Sequence, residues 1–84
     1  MRLLNSKPDK FLIQCIELDL YDLLYKAQFP QTQNWHIDNE VKMLLDKYKS
    51  GSIIQKFDID HADAWEIIVH IYTPRKIKIH CKIP

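Results

Sequence analysis

From residue 76 to 83 the chain alternates strictly. Lys76, Lys78, His80 and Lys82 take one parity, and Ile77, Ile79, Cys81 and Ile83 take the other. A period of two gives a strand one apolar face, whereas a helix would scatter the same residues around its axis. The same period begins at Ser52. Residues 53–60, 64–73 and 76–83 read as three strands of a meander, with turns at 60–63 and 73–76.

The faces follow from the turns. Slipping the register by one residue inverts a strand. A two-residue loop at Pro74-Arg75 would set Ile71, Val69 and Ile67 against Lys78, His80 and Lys82. Proline also cannot take the positive φ that such a loop commonly needs at its first position. A three-residue loop, Pro74-Arg75-Lys76, predicts Thr73 opposite Ile77, Ile71 opposite Ile79, Val69 opposite Cys81 and Ile67 opposite Ile83. Trp65 extends that apolar row. The other face then pairs Tyr72 with Lys78, His70 with His80 and Ile68 with Lys82. A loop at 61–63 sets Ile59 beside Trp65, Phe57 beside Ile67 and Asp58 opposite Glu66. Ile53, Phe57 and Ile59 join the core face, while Ile54, Lys56 and Asp58 join the outer one.

The first half is helical in part. Asp38 is a suitable cap, and Glu40 follows in the first turn. Val41, Leu44, Leu45 and Tyr48 recur at helical spacing before Lys47, Lys49 and a stop at Gly51. Residues 7–28 admit two readings. One is a single helix capped by Ser6. Its polar residues would scatter, with Asp19, Asp22 and Lys26 on one side and Gln14, Glu17 and Gln28 on another. The preferred reading splits the segment. Residues 11–18, FLIQCIEL, form a buried strand, and Asp19 caps a helix whose stripe is Leu20, Leu23, Leu24 and Ala27. The expected fold is therefore α+β, one compact domain over 1–84. Two helices pack on one face of a three- to four-stranded antiparallel sheet, in the order β-α-α-β-β-β.

Composition limits the functions. With 46% apolar and 27% charged residues, 84 in all, the chain has an ordinary globular balance. A net charge of +1 weighs a little against a dedicated nucleic-acid binder, which needs a clear basic excess. The single glycine argues against a phosphate-cradling loop. Cys15 and Cys81 have no metal-ligand spacing and fall on positions expected to be buried. No secretory signal is read in the opening residues, and no apolar run has the length of a membrane span, so a cytoplasmic protein is expected. Abundant isoleucine, with ten lysines to two arginines, suggests an AT-rich genome such as that of a phage or a low-GC bacterium.

Candidate chemistry lies on the outer sheet face, at Lys56, Ile68, His70, Tyr72, Lys78, His80 and Lys82. An opposed His70–His80 pair would hold its Cβ atoms about 4.5–5.5 Å apart, a spacing open to a shared ion or a proton switch. A metal site wants a third ligand, and none is fixed nearby, so no metal or cofactor is assigned. The lysines and Tyr72 could meet RNA, though Asp58 and Glu66 share their face. The run 58–63, DIDHAD, lacks the glycine of a calcium loop and reads as an acidic hairpin tip. Trp35 stands in a polar loop, as a recognition residue or as a lid on the core edge. No GxSxG, P-loop, HExxH or CxxC motif occurs.

The order strand, helix, helix, three strands is broadly similar to small ribonuclease toxins of toxin–antitoxin systems. Residues 65–83, WEIIVHIYTPRKIKIHCKI, resemble their central hairpin. The resemblance covers topology and that segment, and only Arg2 and Arg75 stand where such toxins are arginine-rich. The leading expectation is a small non-enzymatic regulator or inhibitor that binds a larger protein, of the kind phages and mobile elements encode. The alternative is an RNA-binding or RNA-cleaving protein using the Lys/His/Tyr face. A third is a homo-oligomer joined at the edge of the last strand, where the lysines would act as a guard.

Overall fold

In a computed structural model the chain is described over residues 3–29, 36–50 and 54–83, with side chains from Lys10 onward. Two helices, α1 (Leu3–Lys26) and α2 (Ile37–Lys49), precede three strands, β1 (Lys56–Ala62), β2 (Glu66–Tyr72) and β3 (Lys76–Lys82). The sheet is antiparallel in the order β1-β2-β3. Helix α1 lies over β3 and β2 and packs on α2, which covers β1. The two helices thus share one sheet face, as the α+β reading requires.

The expected strand over 11–18 does not form. Those residues belong to α1, 24 residues long, and Asp19 lies inside it rather than capping anything. Between Asp9 and Phe29 there is no glycine or proline to interrupt a helix, and Leu, Gln, Glu, Asp and Lys all tolerate one. Ile16, Leu20 and Leu24 are fully buried on its inner side. Helix α2 starts one residue after His36, so Asp38 sits in the first turn and is not the cap. Its stripe is as expected: Val41 and Leu45 are buried, and Leu44 and Tyr48 pack on the core. Gly51 and Ile53 fall outside the described residues.

The core joins Ile16, Leu20 and Leu24 to Val41, Leu45, Ile67, Val69, Ile71, Ile79 and Cys81. Phe57, Ile59, Ile77 and Ile83 pack at its margin. Ile54, expected on the outer face, is instead a core residue only 4% exposed, because β1 begins after it. Trp65 leaves the core row altogether. It stands in the β1–β2 turn, 60% exposed. Cys81 is buried, while Cys15 is only half-buried.

Each strand keeps its expected faces, but both registers differ. Ile71 opposes Ile77, Val69 opposes Ile79 and Ile67 opposes Cys81, a shift of two residues from the expected pairing. The loop is Thr73-Pro74-Arg75. Thr73, 4% exposed, donates its N–H to the Arg75 carbonyl at 2.9 Å, and its Oγ1 accepts from the Arg75 N–H at 3.2 Å. The Thr73 hydroxyl thus closes the turn one residue earlier. On the other side Phe57 opposes Ile71, Asp58 opposes His70 and Ile59 opposes Val69. A bulge at Asp60 then lets His61 oppose Ile68. Gln28 fastens the end of α1 to the turn that follows β1, its Nε2 donating to the Ala64 carbonyl at 2.6 Å.

Candidate binding face

The registers assemble the outer face in rows. Lys56, Tyr72 and Lys76 form one, and Asp58, His70 and Lys78 the next. His61, Ile68 and His80 form the third, and Glu66 with Lys82 the last. All seven sheet residues singled out from the sequence therefore share this face. The directly opposed His70–His80 pair does not exist. His70 opposes Lys78, and His80 opposes Ile68, which leaves the imidazoles diagonal across two strands. Trp35 lies outside the described residues.

Each histidine of the face instead has a carboxylate. His61 Nε2 lies 2.8 Å from Asp63 Oδ2, His70 Nε2 lies 3.6 Å from Asp60 Oδ2, and His80 Nε2 bonds Glu66 Oε2. The bulge is what brings Asp60 to His70. The His70 contact is longer than a hydrogen bond, and its Nδ1 is buried with no partner among the described residues. Among the described residues no group of three or more His, Cys, Asp or Glu could hold a metal ion.

Asp63 organises the turn after β1. Its Oδ1 accepts the Trp65 N–H at 2.8 Å and the Glu66 N–H at 2.9 Å, the pattern of an Asx turn. The Trp65 amide holds the Asp63 carboxyl below its ordinary value, against a smaller opposing effect of desolvation, with His61 and the Glu66 amide adding to the lowering. The DIDHAD run is thus a hairpin tip built around one carboxylate. At the other end of the face, Lys56 Nζ stands 4.7 Å from the Tyr72 ring centroid and Lys76 Nζ 5.9 Å, so cations from both neighbouring strands reach the one ring.

A second surface was not foreseen. Phe11, Leu18 and Tyr25 on α1 are 68%, 69% and 60% exposed. They recur at intervals of seven residues, close to two helical turns, and so form one row on the side of α1 opposite Ile16, Leu20 and Leu24. The signal for it was present: the scatter of polar residues that argued against a helix is what two apolar sides produce. No helix among the described residues is long and apolar enough to cross a membrane. Comparison with protein-family models, curated proteins and solved structures found no match.

Proposed function

We propose that this protein is a small regulator or inhibitor that binds a protein partner through the outer face of its sheet. The observation that carries the reading is the charge balance of that face. With both hairpin turns counted, Lys56, Arg75, Lys76, Lys78 and Lys82 stand against Asp58, Asp60, Asp63 and Glu66, a near balance. Binding a polyanion depends on a net excess of cations to displace counterions. A nearly balanced face with a half-buried Ile68 at its middle and Tyr72 two rows away suits a protein surface of mixed charge.

The RNA reading keeps one supporting feature, the lysines around Tyr72, yet Lys56 already occupies that ring. The test is capture from the native host with the full chain, followed by nuclease treatment. The reading expects one protein retained after nuclease and lost from the Lys78→Glu and Tyr72→Ala variants. Retention of RNA alone, weakening as salt rises, would overturn it.

A further inference from the structure

We propose that two copies of this chain pair through the solvent side of α1, antiparallel about a two-fold axis at Leu18. This surface is separate from the sheet face, so the proposal stands apart from the function above. Single exposed apolar residues are commonplace, but an aligned row is not. Phe11, Leu18 and Tyr25 are each more than half exposed. A helix apolar on two opposite sides is expected to be covered on both. Among the described residues, the sheet and α2 cover one side only.

The row is complementary to itself. Phe11 and Tyr25 lie at equal intervals on either side of Leu18. An inverted copy therefore sets Leu18 against its own equivalent and Phe11 against the partner's Tyr25. Two identical surfaces repel if they carry net charge. Here Asp22, the acid beside the row, is paired with Lys26 at 3.1 Å on its own helix. Inversion sets Asp22 level with the partner's Gln14 and Lys26 level with the partner's Lys10, so the ion pair does not meet a second copy of itself. The area suffices as well. Large side chains this exposed give roughly 100–150 Å² each, so six of them offer roughly 600–900 Å² of apolar surface. With their flanking residues they approach the roughly 1,200 Å² at which specific interfaces begin.

Sedimentation equilibrium of the full chain, from micromolar to sub-millimolar concentration, tests the pairing. The wild-type mass should rise from 10.1 kDa towards twice that value. Leu18→Glu and Leu18→Lys should each stay monomeric with unchanged far-UV circular dichroism, since Leu18 makes no part of the core. Mixing the two in equal amounts should restore the dimer, because only at the two-fold axis does residue 18 meet residue 18. Tyr25→Glu provides an independent break. A wild type that stays monomeric throughout overturns the proposal. So does a dimer that survives Leu18→Glu, or a mixture of the charged variants that fails to associate. Such a failure leaves the sheet-face reading intact, because its variants lie on the other side of the molecule.

Discussion

Tyr48 of α2 donates its hydroxyl hydrogen to Asp19 Oδ2 of α1 at 2.5 Å. The bond joins the two helices, and it makes use of an aspartate that reads, in sequence, as the start of a helix. Burial, followed by the bond to Asp19, pushes the Tyr48 phenol up to about 12. The neutral phenol is the donor, so its contribution is complete below the ordinary tyrosine value of about 10 and is lost as pH rises through about 12. Tyr48→Phe should cost about 1–2 kcal/mol at neutral pH, and its deficit relative to wild type should shrink above pH 10. Urea unfolding at pH 7 and pH 11 measures both. A constant deficit would show that packing, and not this bond, is what the substitution removes.

The two thiols should behave differently. Cys81 is fully buried, and burial, with the charge of Glu17 behind it, pushes its thiol up to about 11. Its Sγ contacts the Glu17 carbonyl at 3.9 Å. A native-state titration with a bulky disulfide reagent should therefore modify Cys15 promptly and Cys81 only at the rate of unfolding. Two equivalents reacting together would contradict the packing of α1 on β3.

The bulge at Asp60 offers a test by deletion. Removing Asp60 leaves Ile59 and His61 on their present faces and makes the β1–β2 ladder regular, so folding should remain cooperative. Removing Ile59 instead turns Asp60 towards the core, and cooperative melting should be lost. Deleting Asp60 also takes away the carboxylate beside His70. If the sheet face binds a protein partner, affinity should fall in that variant while the melting temperature holds. Calorimetry and a binding assay together separate the two effects.

Asp63 makes the β1–β2 turn sensitive to acid. Its carboxyl is held low by the Trp65 amide, so its contribution to stability is complete above the ordinary carboxylate range and fades as pH falls through the lowered value. Asp63→Ala should lower the melting temperature at pH 7, and the gap from wild type should close as pH falls below the ordinary carboxylate range. Circular dichroism melts across that range give the answer. A gap that persists in acid would place the effect in the unfolded chain.

The faces of the sheet were legible because alternation is a strong signal, but alternation sets only parity. It cannot separate registers two residues apart, and the choice passed to the Thr73 hydroxyl and to the Asp63 carboxylate, whose turns the spacing of apolar residues does not record. His70 and His80 were placed on the correct face and in the wrong rows for that reason. The bulge at Asp60 had no marker, since no glycine accompanies it. Helix α2 was plain from its single stripe. Helix α1 was not, because Phe11, Leu18 and Tyr25 fill in the polar half of the wheel and leave a segment that mimics a buried strand.

Surfaces on opposite sides of one short chain have a consequence for reach. The row on α1 points away from the sheet, so a pair joined there would carry its two sheet faces outward, held at a fixed separation by helices and not by a flexible linker. Such a pair binds a partner that displays its own site twice far more tightly than either half alone, provided the spacing matches. A regulator built this way would answer to how its target is arrayed, and ignore the same target when it stands alone.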